Sequence, residues 1–270
     1  MNKQTNVIER TGERPIILDY LMDEYHNAKD WVVFVHGFKG YKDWGAWNLI
    51  CEEIYKSGFN VLKFNFSGNG GTIEDPIDFP DLDAFAENTY SKEQKDLDDV
   101  LDWLQKYSPK AVHLIGHSRG GAAVLLKSLS DKVDKIVSWA GVSDFYSRIT
   151  EEQVAAWESN GVFYVKNGRT NQMMPMNKTF YDDLMDNNNS LNILENVKAS
   201  NKSILLIHAK NDPAVSYQDS QKVNSLAQNS TLILLESGGH TFDVKHPWEE
   251  SSLPEAMEKV LKETLSFLKS

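Results

Sequence analysis

Cysteine is almost absent from this chain. Cys51 stands alone, so no disulfide can close within it, which fits a reducing compartment. No Cys-His signature surrounds Cys51, and its place in Trp47-Asn48-Leu49-Ile50-Cys51 reads as the packed face of a helix. Long apolar runs are missing too, and none approaches membrane-spanning length. Met1 to Asn6 hold no apolar segment of the kind found in secretory leaders. Together these absences give the expectation of a cytoplasmic protein with no membrane partner. Basic charge is scarce: 28 Lys and Arg face 39 Asp and Glu, for a net charge of −11. Phosphate backbones need a basic footprint, so no nucleic-acid partner is expected. The surplus acid reads as a solvating surface. No internal repeat or low-complexity segment is visible.

What the chain has is alternation. Its 270 residues, 41% hydrophobic, can build a real core. Residues 5–21 suggest a hairpin around Gly12, and Asp23 to Lys29 suggests a polar loop. Trp31-Val32-Val33-Phe34-Val35 is continuously apolar, as suits a strand covered on both faces. Helical spacing follows from Trp44 to Ser57, closed by Gly58. Asn60 to Phe66 reads as the next strand, Ser67 to Gly71 as a flexible turn, and residues 72–90 as a long loop with room for a short helix. Ser91-Lys92-Glu93-Gln94 matches a capping box. The helix it predicts runs to about Tyr107, buries Leu97, Val100, Leu101 and Leu104, and spreads Asp96, Asp98 and Asp99 over a solvated face, so no metal site is expected. Strands are predicted at 111–115, 134–140, 203–208 and 230–235, and helices at 216–227 and 252–268. Residues 145–200 break the rhythm with aromatics, methionines and Asn-rich turns, and read as a cap inserted in a single domain spanning 1–270. The predicted class is α/β, a mostly parallel central sheet with helices on both faces. Sites in such sheets form at the carboxyl ends of strands.

One stretch carries chemistry. Gly116-His117-Ser118-Arg119-Gly120 joins the apolar strand Ala111 to Ile115 to the small, helix-forming run Gly121-Ala122-Ala123. A G-x-S-x-G turn between strand and helix exposes its serine above the sheet. A plain glycine-rich structural turn is the competing interpretation. A serine hydroxyl needs a histidine to take its proton, and that histidine needs a carboxylate to fix its tautomer. Seven histidines are available. His240 follows the last strand in Glu236-Ser237-Gly238-Gly239-His240, where two glycines let a loop curl over the sheet. His246 is the runner-up. His208 ends a buried strand and reads as a core or supporting residue, His113 lies within a strand, His26 in a polar loop, and His117 in the turn itself. The carboxylate is assigned to Asp212, after a strand and before Pro213, with Asp144 as the alternative.

Ser118, Asp212 and His240 stand in the order Ser, Asp, His. With His36-Gly37-Phe38, the turn at 116–120, Asn211-Asp212 and Gly239-His240, the chain from about residue 14 onward resembles the α/β-hydrolase superfamily. It is most similar to small serine esterases of the cinnamoyl and feruloyl esterase kind. The resemblance implies the α/β-hydrolase fold, no cofactor, a small-molecule ester as substrate, and an oxyanion hole made by the backbone N–H groups of Phe38 and Arg119. The turn after the fourth strand departs from many relatives: it reads Asn65-Phe66-Ser67-Gly68-Asn69-Gly70. Trp157, Phe163, Met173 and Met174 in the cap are candidate substrate contacts, with the cap's own core as the alternative. A peptidase or thioesterase on the same three residues, and a non-catalytic binding protein, are the other functions compatible with the sequence. It does not indicate an oligomeric state.

Overall fold

The structure is a computed structural model that describes residues 3–22 and 29–270. The polar loop predicted at 23–29, His26 included, therefore lies almost wholly outside the described residues. The strands are β1 (Gln4–Ile8), β2 (Ile16–Leu21), β3 (Trp31–Val35), β4 (Asn60–Phe64), β5 (Val112–His117), β6 (Lys135–Trp139), β7 (Val162–Lys166), β8 (Met173–Asn177), β9 (Ser203–Ala209) and β10 (Ser230–Leu235). The helices are α1 (Trp47–Lys56), α2 (Leu82–Ala86), α3 (Tyr90–Leu104), α4 (Arg119–Leu126), α5 (Glu151–Asn160), α6 (Thr179–Asp186), α7 (Ile193–Ala199), α8 (Tyr217–Leu226) and α9 (Glu255–Lys269). Eight strands form one sheet in the order β1-β2-β4-β3-β5-β6-β9-β10. The β1–β2 hairpin joins the edge antiparallel, and every pairing from β4 through β10 is parallel.

The two faces follow from the period of two along each strand. In β3, Trp31, Val33 and Val35 pack with α3 and α4, while Val32 and Phe34 pack with α1 and α9. The same alternation runs through β9, where Ile204 and Leu206 oppose Leu205 and Ile207. This is why β3 and β9 are apolar without a break. In α3, Leu97, Val100, Leu101 and Leu104 are fully buried, as their spacing predicts. Burial of such a side chain stabilises by roughly 1.5–3 kcal/mol.

Three local expectations need correction. The N-cap of α3 is Thr89, whose hydroxyl accepts from the Lys92 amide at 3.2 Å. The predicted capping box at Ser91 thus starts two residues late, and the Ser91 amide instead bonds Asp183 at 3.0 Å. Asp96 does not face solvent. It sits one turn before Val100 and turns inward with it, where Arg10 donates to it at 2.6 Å and the Ser67 amide and hydroxyl at 2.7 and 3.0 Å. Burial pushes this carboxyl up to about 6, against the pull of Arg10 and Ser67. The turn at 67–71 is built in: Asn69 is buried, and its amide donates to the Gly40 carbonyl at 3.2 Å.

Between β6 and β9 the chain leaves the sheet. α5, the antiparallel β7–β8 ribbon and α6 gather around Trp157, which stacks on Tyr181 and donates from its indole N–H to the Met176 carbonyl at 2.8 Å. α7 rejoins the helical layer through Ile193 and Val197. The ribbon tip reaches back over the body. Lys39 donates to the Lys166 carbonyl at 3.0 Å, Gln172 to the Phe79 carbonyl at 3.2 Å, and Arg169 to the Ile77 carbonyl at 2.6 Å and to Asp78.

Candidate active site

Ser118 sits between β5 and α4 with φ 58° and ψ −119°, a left-handed backbone that a non-glycine residue adopts only under constraint. The constraint is close packing. A Cβ on Gly116 would overlap the Gly120 carbonyl, and one on Gly120 would overlap the carbonyls of Val35 and His36. Gly37 approaches from the β3 end, where a Cβ would lie 3.0 Å from both the Ser118 Cβ and the His117 carbonyl. The Ser118 amide is tied to the Trp139 carbonyl of β6 at 2.8 Å. Arg119 opens α4, so its N–H has no carbonyl within the helix to bond. Phe38 follows Gly37 in a tight turn closed by the Gly40 amide on the Gly37 carbonyl at 3.0 Å. Beneath it, burial pushes the His36 imidazole down to about 4, and its Nε2 accepts from the Phe66 amide at 3.2 Å.

Asp212 and His240 meet across the ends of β9 and β10. His240 Nδ1 donates to Asp212 Oδ2 at 2.8 Å, which leaves His240 Nε2 as the free lone pair. The Asp212 side chain is fully buried and its other acceptor sites are also used. Oδ1 takes the amides of Ala214 and Val215 at 2.8 and 2.9 Å, and Oδ2 takes His208 Nε2 at 3.2 Å. Burial alone would raise this carboxyl, but the donors from His208, His240 and Val215 outweigh it and hold it well below the usual carboxylate range. His208 therefore supports Asp212, with its Nδ1 accepting from the Ser220 hydroxyl at 2.7 Å. The loop carrying His240 is fixed from two sides. Gly239 donates to Asn211 Oδ1 at 2.9 Å, and His117 Nε2 lies 2.8 Å from the His240 carbonyl. A carbonyl only accepts, so His117 carries its proton on Nε2. Burial drives that ring down to about 3 and keeps it neutral.

Ser118 and His240 line one cavity of about 320 Å³. Phe38, Phe145, Phe180, Val165 and Met176 supply apolar wall, and the polar groups include Arg119, Arg148 and Gln153. The sequence-predicted contacts fall elsewhere. Trp157 and Met174 are buried in the core of the insertion, Phe163 packs beside Trp157, and Met173 is exposed, so none of the four lines this cavity. The strand period explains the miss in part: β8 does point inward, but through Met176 to the cavity and Met174 to the core. The runner-up histidine, His246, accepts at Nδ1 from the Gly45 amide at 2.9 Å, so its proton is on Nε2, which donates to the Tyr41 hydroxyl at 2.7 Å. Asp144 takes the amides of Tyr146 and Ser147 at 2.8 and 3.0 Å, which caps the turn into the insertion. Among the described residues no group of three or more His, Cys, Asp or Glu could hold a metal ion, and no helix is long and apolar enough to cross a membrane.

A model of the alpha/beta hydrolase family matches residues 32–252. The chain belongs to that family. Among curated proteins this alpha/beta hydrolase is similar to the uncharacterized protein YfhR of Escherichia coli (strain K12), at 25% identity over 215 residues. That match covers 79% of this chain and 64% of YfhR, so the chain spans less than two thirds of that relative. Among solved structures it resembles Est1E from Butyrivibrio proteoclasticus with bound ferulic acid, with TM-score 0.74 at 17% identity over 98% of each chain. It also resembles mouse alpha/beta hydrolase domain-containing protein 10, with TM-score 0.72 at 19% identity over 98% of each chain. At these identities the likeness is one of fold. Within this alpha/beta hydrolase, His208 is the buried supporting residue that its strand-end position suggested, while sequence reasoning missed the role of His117 as a prop of the His240 loop. It also missed Arg148, Phe145 and Phe180 as cavity wall. His117 was visible as a histidine at a strand end, but its partner, the His240 carbonyl, lies 123 residues away, and nothing local marks that pairing.

Proposed function

We propose that the protein is a serine hydrolase of carboxylic esters, with Ser118 as nucleophile, His240 as general base and Asp212 as its orienting carboxylate. The observation that carries this is the Asp212–His240 hydrogen bond of 2.8 Å in a cavity whose wall also holds Ser118 on its constrained turn. His240 Nδ1–H is committed to Asp212, so Nε2 takes the Ser118 proton as Oγ attacks the ester carbonyl. The anionic Asp212 stabilises the imidazolium that forms. The backbone N–H groups of Arg119 and Phe38 receive the developing oxyanion, and each such donor contributes on the order of 10²–10³ in rate. His240 then protonates the leaving alcohol, and water activated by the same nitrogen releases the acid from the acyl-enzyme. Every step is acid–base and nucleophilic chemistry of these side chains.

The alpha/beta hydrolase membership and esterase neighbours such as Est1E support hydrolysis as the reaction class. Ferulic acid is a ligand of Est1E; for this chain, the aromatic wall of Phe38, Phe145 and Phe180 supports an acyl or aryl group of moderate size. The test is turnover of p-nitrophenyl acetate and butyrate by the wild type, Ser118→Ala and His240→Ala. Activity in the wild type and its loss in both variants is expected. Equal rates in all three would sink the assignment.

A further inference from the structure

The chain carries a net charge of −11, yet among the described residues no carboxylate lines the cavity beside Ser118. Its charged groups are two guanidinium groups, Arg119 and Arg148. Both are held in place from behind. Arg119 uses one edge on Glu93 at 3.2 Å and lies over the Phe38 ring at 4.0 Å, with Tyr90 and Phe180 on its other sides. Glu93 is buried, and Asn88 donates to it at 2.8 Å. Arg148 donates to the Ala214 carbonyl and to Asp219, both at 3.0 Å, and Asp219 is anchored in turn by the Ser143 hydroxyl at 2.6 Å. Neither acid faces the cavity.

A guanidinium has five N–H donors in a rigid fork. Arg119 spends one contact on protein and Arg148 two. The remaining donors border a largely apolar cavity, Arg148 with its side chain 35% exposed, and have no protein acceptor among the described residues. A neutral aliphatic or aryl ester would leave these donors facing apolar carbon. A carboxylate would meet them with short, charge-assisted hydrogen bonds in a partly desolvated site. The anchored partners keep both forks from collapsing into the cavity, so the positions are set before a ligand arrives.

We propose that this cavity selects esters that bear a second, free carboxylate, held by the unused donors of Arg148 and Arg119 while Ser118 attacks the ester carbonyl. This rests on the hydrolase reading above and adds the substrate class to it.

Two matched pairs test it in a pH-stat at pH 7.5: ethyl hydrogen adipate against ethyl hexanoate, and 6-acetoxyhexanoate against hexyl acetate. Within each pair only the terminal methyl or carboxylate differs, on the acyl side in one and on the alcohol side in the other. The expected result is a kcat/KM about tenfold or more higher for the charged member of at least one pair. That ratio should drop by about fivefold or more in Arg148→Gln. In the wild type it should also shrink between 20 mM and 500 mM NaCl, a reading that depends on no variant folding. Preference for the neutral member in both pairs, or a ratio unmoved by Arg148→Gln and by salt, overturns the proposal while leaving the esterase reading intact. No turnover of any of the four esters, with Ser118 also unreactive to a fluorophosphonate, overturns both.

Discussion

Backbone packs on backbone around Ser118, whereas the tip of the β7–β8 ribbon is held by the ends of long side chains. At the turn, the carbonyls of Gly120, Val35 and His36 fill the space where a Cβ would go. At the ribbon, Arg169 reaches Asp78, Lys39 reaches the Lys166 carbonyl, and Gln172 reaches the Phe79 carbonyl. The Asp78 side chain is 61% exposed, so its ion pair with Arg169 contributes about 1 kcal/mol or less. The difference separates two jobs. The reaction is fixed by contacts that tolerate no added atom. The cavity wall, which Val165 and Met176 of the ribbon help to form, hangs on contacts that can be exchanged singly.

The largest expected effect is on chemistry: Asp212→Asn should lower kcat for a p-nitrophenyl ester about 10⁴-fold, because His240 loses the acceptor that sets its tautomer. A loss under tenfold would detach Asp212 from the site. Gly120→Ala should come next. The added Cβ meets two strand-end carbonyls, so unfolding free energy should fall by about 2–4 kcal/mol in urea melts and ester turnover should be lost. A stable, active Gly120→Ala protein would show that the turn is less tightly set than its contacts imply.

The third effect is on pH. Unfolded, His36 and His117 take up a proton near 6.5, whereas folded they stay neutral down to about 4 and 3. Between those values the unfolded chain binds more protons, so both residues make stability fall as pH drops from 6.5 to 4. Asp96 works the other way: folded, it keeps its proton up to about 6, so its contribution grows as pH falls from 6 toward its ordinary value of 3.8. His113 and His246 are lowered by burial as well, while Glu93 joins Asp96 in being raised; the lowered histidines outnumber the raised acids, so the net effect is a loss of stability as pH falls. Urea midpoints at pH 6.5, 5.5 and 4.5 should decline in that order, and a rise would contradict the buried neutral state of the two rings. The smallest effect belongs to the ribbon. Arg169→Ala should cost about 1 kcal/mol or less in the same melts and change ester kcat less than about threefold. A loss comparable to that of Gly120→Ala would erase the contrast between turn and ribbon.

The same contrast governs what could be read from the sequence. The sheet was legible because β3 and residues 204–207 of β9 are covered on both faces and are apolar without a break. The turn was legible because glycines flank Ser118 wherever backbone must approach backbone. Asp212 and His240 stood out by following strands in the order Ser, Asp, His. Asp96 was misjudged because its partners, Arg10 and Ser67, lie 86 and 29 residues away. His117 was underrated for the same reason, its partner lying 123 residues away. In the insertion, Trp157 and Met174 carry the composition of a ligand pocket but are buried in the core, while Phe145 at its start and Phe180 in α6 reach the cavity. Aromatic content alone does not say which side of a small core a ring faces.

The central claim is that Ser118 is the nucleophile. The most direct measurement is mass spectrometry of the wild type and Ser118→Ala after treatment with a fluorophosphonate, with ester turnover followed in parallel. One adduct per wild-type chain is expected, on the peptide containing Ser118, forming in step with the loss of activity. Ser118→Ala should take no adduct and turn over ester at least about 10³-fold more slowly. An adduct on another residue, or Ser118→Ala turning over ester at the wild-type rate, would contradict it.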